Sequence, residues 1–288
     1  MTDATDATIV AFQGEHGANS EAAILKFFGD KATSMPCHEF RDIFDAIREG
    51  TATYGMLPVE NALAGTVAHS YELLMEYDFR VVGEIILPII YQVMAPDGVS
   101  LEDIKTVKSH PQALAQCEHY IRRRGWEPHV TYDTAGAAME LAQNPEPHMA
   151  AIAAPLAAEH YGLNVLDNHV EDDPENSTRF FVLGIDDAER QDPSKTSLVF
   201  GVRHHPGSLY QYIESFAERD INLTKLESRS MRGRLWTYMF YVDFEGHSQD
   251  DMASEALVDL LRKAAFVKML GSYPAAAGGP NTQNHNHK

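Results

Sequence analysis

The chain has 288 residues, with 42 acidic against 23 basic side chains and a net charge of −19, a length that suits one large domain or two ordinary ones. The acid excess argues against nucleic acid, whose phosphates it would repel, and the two cysteines, Cys37 and Cys117, give neither a disulfide framework nor a metal-ligand spacing. The longest apolar run, 85–90, is broken by Pro88 far short of the ~20 residues of a membrane span, and the acidic start MTDATDAT lacks a secretory pattern, so a cytoplasmic protein with no membrane partner is expected.

Along the first 185 residues, short β-rich runs alternate with helical patterns. TIVAF (8–12) reads as a buried strand that enters the turn QGEHGANS and then a helix over 19–28. A short helix over 42–48 precedes a strand at 53–57, a helix at 69–77 and a strand at 81–87. The strand IKTVKS, a helix after Pro111, HVTY, a helix from Asp133, MAAIA, a helix from Pro155 and LNVL continue the alternation. The pattern predicts α/β architecture with mainly parallel sheets, in two lobes, with a site in the cleft outside the strand carboxyl ends.

DDAERQDPSK (186–195) is polar and contains Pro, so it reads as a linker. Charge supports a boundary there, because residues 1–195 carry 13 basic against 32 acidic groups, and residues 196–273 carry 9 against 10. After the linker come a strand TSLVFGV, a helix over 207–218, two strands meeting at a turn near 232–233, a helix over 251–262 and a strand at 266–273. The order βαββαβ is the ferredoxin-like split unit. The remaining tail, 274–288, has little apolar content and is expected to be disordered.

Four segments carry candidate chemistry. QGEHGANS ends a strand and opens a helix, so the amides at Ala18, Asn19 and Ser20 could hold a carboxylate or phosphate; an ordinary capped turn would read the same way. MLPVENALAGTV places Glu60 and Asn61 at a strand end, to orient a polar substrate or to cap the next helix. VKSHPQ does the same with Ser109, His110 and Gln112 at a Pro-initiated helix start. NSTRFF (176–181) sets the Thr178 hydroxyl beside the Arg179 guanidinium at a strand entrance, where Arg179 could clamp an anion or pair with Asp172 or Asp173. The chain has no Walker or dinucleotide-binding glycine motif and no HExxH. His204 and His205 would fall on opposite faces of a strand, so no metal site is expected.

These segments, together with SHPQALAQC, DTAGAA and AAEHYGLNVL, occur in the same order in prephenate dehydratases, and the chain resembles that family over residues 8–273. The resemblance implies a two-lobed, periplasmic-binding-protein-like catalytic domain (7–185), a linker (186–195) and a ferredoxin-like ACT regulatory domain (196–273). It implies catalytic or substrate-positioning roles for Thr178, Arg179, Asn61, Ser109 and Gln112, with Glu60 and residues 18–20 binding substrate. The residue after Glu60-Asn61 is usually Ser or Thr in the family; here it is Ala62, whose missing hydroxyl Thr66 or Ser70 could replace. PGSL with INLT and ESR resembles a phenylalanine-binding ACT site made of Pro206, Gly207, Ser208, Leu209, Asn222, Leu223, Glu227, Ser228 and Arg229; a domain that only dimerises is the alternative.

The reaction so implied converts prephenate to phenylpyruvate, carbon dioxide and water. Aromatisation supplies the drive, so no cofactor is called for. Thr178 would assist the departing hydroxyl, Arg179 would orient the anion, and L-phenylalanine would regulate a homodimer or homotetramer. A catalytically silent phenylalanine sensor and an arogenate dehydratase are the competing readings.

Overall fold

The computed structural model describes residues 8–203, 205–230 and 238–276. The described residues fall into two compact units. The first joins the chain up to Tyr71 with Ile85–Phe180; the second joins Glu72–Glu84 with the chain from Phe181 onward.

The chain runs β1 (Thr8–Gln13), α1 (Asn19–Phe28), β2 (Ala32–Cys37), α2 (Phe40–Glu49), β3 (Tyr54–Asn61), β4 (Gly65–Thr66), α3 (Ala68–Glu76) and β5 (Arg80–Pro88), with the end of α3 and the start of β5 in the second unit. It continues with β6 (Gln92–Ala95), β7 (Thr106–Ser109), α4 (Pro111–Gln116), α5 (Glu118–Arg124), β8 (Glu127–Val130), α6 (Thr134–Gln143), β9 (Met149–Ala153), α7 (Pro155–Tyr161), β10 (Asn164–Asn168) and β11 (Ser177–Gly184). One sheet has the order β2-β1-β3-β11-β5, with β4 on β3; the other has the order β10-β6-β9-β7-β8. Val10, Ala11 and Phe12 of β1 are wholly buried, as a central strand covered on both faces requires. In the second sheet, Val93, Val107 and Ile152 pack against Cys117 and Ile121. Burial raises both thiols, that of Cys37 to about 11, so neither is activated for chemistry.

The expectation of mainly parallel sheets needs correction. β1 is parallel to β2 and β3, and β7 is parallel to β8 and β9, but β6 is antiparallel to both β9 and β10. The fold is α/β with mixed sheets. β2 and β6 escape the sequence pattern, the first because Pro36 sits in it and the second because it is short. Pro36 is tolerated because β2 is a sheet edge, where a missing N–H need not break a ladder.

The second unit runs β12 (Ser194–Gly201), α8 (Ser208–Ala217), β13 (Leu223–Ser230), β14 (Tyr238–Glu245), α9 (Asp251–Lys263) and β15 (Phe266–Pro274). Its sheet order is β13-β14-β12-β15, with each pairing antiparallel. Leu198, Phe200 and Phe244 project to one face, where Tyr212 and Phe216 of α8 and Leu260 of α9 cover them. The turn expected near 232–233 lies outside the described residues. Ser194 and Lys195, read from sequence as linker, already belong to β12. β12 ends at Gly201, short of His205, so strand alternation does not govern that residue. Of the tail expected from 274, Pro274 still pairs with Ser194 and the Ala275 N–H donates to Pro193 O; residues 277–288 lie outside the described residues.

Candidate active site

Asn61 ends β3, and its side chain is a hydrogen-bond hub. Its Oδ1 accepts from the backbone N–H groups of Leu63 at 3.1 Å and Ala64 at 2.8 Å. Backbone donors cannot reverse, so the amide nitrogen must face the other way. There Nδ2 donates to Asn176 Oδ1 at 2.9 Å, Ser177 O at 3.1 Å and Thr178 Oγ1 at 3.0 Å. Thr178 Oγ1 is therefore an acceptor toward Asn61, and its own proton is left for another partner. Among the described residues no acceptor takes it. Thr178 and Phe180 line a cavity of about 630 Å³ in the first unit, and the free hydroxyl proton belongs to that cavity wall.

The lining holds no Lys or Arg among the described residues; it holds the beginnings of helices. Asn19 and Ser20 of α1, Phe40 of α2, His69 of α3, Gln112 of α4 and Thr134 of α6 all contribute first-turn residues to the wall. Each helix N-terminus carries a partial positive charge of roughly half an electron, with N–H groups that have no partner inside the helix. Three of the five mouths have a side-chain cap of their own. α2 has a Glu39–Asp42 capping box, Gln112 N–H is capped by His110 Nδ1 at 3.2 Å, and Gly136 N–H by Asp133 Oδ1 at 2.8 Å. α1 has no side-chain cap, so its first-turn amides stand open. An acidic chain can thus hold an anion without a Lys or Arg side chain at the site.

Gly17 is the residue that lets α1 begin where it does. Its φ is +88°, and a Cβ there would lie 2.6 Å from Ala157 Cα at the start of α7. Its N–H donates to Glu21 Oε2 at 2.6 Å, and Glu21 also binds His16 at 2.7 Å and the Ser34 hydroxyl. Burial works to raise the Glu21 carboxyl, but the Gly17, Ser34 and His16 bonds together outweigh it and hold the group below its usual value. The loop before α1 is further tied by Tyr161 OH donating to His16 O at 2.7 Å.

The structure distributes the sequence candidates unevenly. Ala18, Asn19, Ser20, Asn61, Gln112 and Thr178 all line the cavity. Within the expected amide cradle, Ala18 N–H is already given to Glu15 O at 3.1 Å, which leaves Asn19 and Ser20. Arg179 is outside the lining and pairs with Glu60 at 3.8 Å, not with Asp172 or Asp173. The reason is strand alternation: Thr178 and Phe180 face the cavity, so the residue between them faces away. Ser109 is wholly buried outside the lining, and its hydroxyl donates to Ile152 O at 2.6 Å, tying β7 to β9. Ala62 N–H donates to Ser177 O at 2.8 Å, and the Ser70 hydroxyl is committed to Pro58 O at 2.6 Å, so Ser70 does not replace the missing hydroxyl.

Sequence reasoning passed over Gln13, His38, His69, Gln116 and Asp133, all in the lining. Gln13 ends β1 and His38 follows β2, so the usable signal was position at the carboxyl end of a parallel strand. Gln116 Oε1 accepts from Tyr91 OH at 3.2 Å, which turns its amide N–H groups away from that contact. Burial raises the Asp133 carboxyl, and Glu15 adds to the shift, against the Gly136 and Ala135 N–H bonds. Among the described residues no group of three or more His, Cys, Asp or Glu is placed to share a metal ion.

In the second unit Gly207 precedes α8 with φ +80°, a left-handed conformation that suits glycine, and the space beside it is open. Pro206 is exposed, and Ser208 begins α8. Leu209 and Leu223 pack against the helix-covered core, and Asn222 is exposed. On β13, Glu227 bridges Lys225 at 3.2 Å and Arg229 at 2.9 Å, with Ser228 exposed between them.

Comparison with known proteins converges on one family. Residues 10–188 match the family model described as prephenate dehydratase. The chain is 40% identical over 278 residues to arogenate dehydratase/prephenate dehydratase 2 of Arabidopsis thaliana, covering 92% of this chain and 72% of that protein. Its fold is similar to the Arthrobacter aurescens prephenate dehydratase solved in complex with L-Phe (TM-score 0.85, 33% identity, 92% of this chain and 89% of that one). It is similar also to a structure described as GqqA, a novel type of quorum quenching acylase (TM-score 0.86, 34% identity, 93% and 98%). With the model match spanning most of the chain that builds the Thr178 cavity, the chain belongs to the prephenate dehydratase family.

Proposed function

We propose that this protein converts prephenate to phenylpyruvate in the Thr178 cavity, as a hydro-lyase of phenylalanine biosynthesis. The observation that carries the reading is the Asn61–Thr178 bond, which leaves a hydroxyl proton on the wall of a cavity ringed by helix N-termini. In the reaction the bond from the ring to its carboxylate breaks and releases carbon dioxide. That electron pair completes the aromatic ring, and the ring C–O bond breaks with its pair on oxygen. A proton delivered to the departing oxygen makes water. Thr178 donates to that oxygen as charge develops on it, an effect of ~10²–10³-fold for one preorganised donor. The open amides of Asn19 and Ser20 hold a substrate carboxylate, and Gln112 and Gln116 contact the ring substituents. Arg179, from the far face of β11, fixes the strand through Glu60 and acts on orientation alone.

The reading extends to organisation. Residues 7–185 form the catalytic domain, with a periplasmic-binding-protein-like pair of lobes, and 196–273 an ACT domain that binds L-phenylalanine near Gly207 and Asn222. β13 is a sheet edge with alternate residues exposed, Leu226 among them, which supports pairing with a second copy in a homodimer or homotetramer. No helix among the described residues is long and apolar enough to cross a membrane, which is compatible with the proposed cytoplasmic location.

Arogenate carries an ammonium where prephenate has a keto group, and the Glu39 and Asp133 carboxylates in the lining would suit it. One assay decides: purified protein is offered prephenate and arogenate separately, with and without L-phenylalanine. Turnover of prephenate that L-phenylalanine suppresses is expected. Exclusive use of arogenate would reassign the substrate, and turnover of neither would leave a phenylalanine sensor.

A further inference from the structure

The second unit encloses a cavity of about 370 Å³, within the size range of small-molecule sites. It is walled by the segment after β11, the turn between β14 and α9, and β15. Two guanidiniums, Arg80 and Arg190, stand in its lining against one carboxylate, Asp187. Neither is saturated. Arg190 gives one bond, to Asp250 at 2.5 Å, and Arg80 reaches Met269 O and the exposed Asp187, each at 3.3 Å, and the exposed Asp78 at 3.9 Å, out of five donors on each fork.

His247 sits in the same wall and is only 8% exposed. Its backbone N–H donates to Asp250 Oδ2 at 2.8 Å, and its Nδ1 accepts from Gln249 N–H at 3.2 Å. An acceptor at Nδ1 places the neutral ring's proton on Nε2. Among the described residues nothing accepts that proton. The residue is buried but its Nε2 keeps access to the cavity, so the donor is available to a molecule held there. Leu257 and Met269 supply an apolar side to the same space.

We propose that this cavity binds a small organic monocarboxylate. The carboxylate accepts from His247 Nε2 and from the free N–H groups of Arg190 and Arg80, and its short aliphatic body lies on Leu257 and Met269. The site lies outside the Thr178 cavity and outside residues 206–209 and 222–229, and the inference does not depend on the activity proposed above.

The test uses the full chain with 15N-labelled histidines, titrated with sodium isovalerate against sodium chloride of equal ionic strength. The His247 signal is assigned as the one lost in His247→Asn. That variant keeps an oxygen to accept the Gln249 N–H, as Asn does in an Asx turn, but removes the distal donor. Saturable movement of the His247 signal by isovalerate alone is expected. Calorimetric affinity should fall at least about tenfold, ~1.4 kcal/mol, in His247→Asn and in Arg190→Gln. Equal movement by chloride, equal binding of inorganic phosphate, no saturation, or affinity unchanged in both variants would each overturn the proposal.

Discussion

Replacing Asn61 with Asp changes one side-chain nitrogen to oxygen and should reverse the direction of a single proton. In the native hub, five hydrogen bonds of 2.8–3.1 Å fix the amide. In Asn61→Asp the Leu63 and Ala64 N–H groups keep their acceptor, but the second oxygen now needs donors. Asn176 can supply one by turning its amide over, because its Nδ2 is buried without a partner in the native protein. Thr178 supplies the other by rotating its hydroxyl toward residue 61 and away from the cavity. Ser177 O, a backbone acceptor that cannot reverse, is left 3.1 Å from the new carboxylate, so the fold should survive with a melting temperature several degrees below native. The loss of one preorganised donor should cost ~10²–10³ in kcat, about 3–4 kcal/mol. The new charge will also raise KM for a dianion, so the hydroxyl effect is isolated by a double-mutant cycle with Thr178→Val, read as phenylpyruvate formation. If Asn61 acts through Thr178, the double variant should be little slower than the worse single one. Near-native turnover by Asn61→Asp, or a double variant losing the product of the two separate losses, would refute the reasoning.

Thr178→Ala should lower kcat far more than it raises KM, while Thr178→Ser should keep most of the rate, since both hydroxyls can accept from Asn61; steady-state kinetics on the pair check this. Gly17→Ala should destabilise the protein by at least ~1–2 kcal/mol, from the left-handed backbone alone, before the clash with Ala157 is counted; denaturant midpoints measure it. Glu21 has a depressed carboxyl, so its contribution is complete above the unfolded value near 4.5 and is lost as pH falls through the lower folded value. Glu21→Gln should consequently be less stable than native at pH 7, with the gap narrowing below about pH 4.5; thermal melts across pH show whether it does.

Local signals served the fold well where chemistry is punctuated. The turn QGEHGANS announces α1, and the structure has a helix at Asn19–Phe28, the residues read from sequence. β6 was lost because four residues are too few to show a period, and its antiparallel course depends on partners remote in sequence. At the site, Thr178 was legible because a hydroxyl at a strand entrance is a local statement. Its proton's direction was not, since that depends on Asn61, 117 positions away. Arg179 was legible as chemistry and misplaced in space, although a two-residue period already sets it opposite Thr178. His69 carries no motif at all, and only its place in the first turn of α3 brings it to the wall.

The ring of helix mouths has a consequence for how this cavity can change. A field built from main-chain dipoles has no pKa and does not titrate, and no single substitution short of Pro removes an amide from it. It is inherited with the folding pattern and not with particular side chains. The rim can therefore be rewritten at Gln13, His38, Gln112 or Asp133 to prefer a keto or an ammonium group while the capacity to hold the shared carboxylates persists. Substrate choice on such a scaffold is a matter of a few rim positions, and drift there need never pass through a protein that binds nothing.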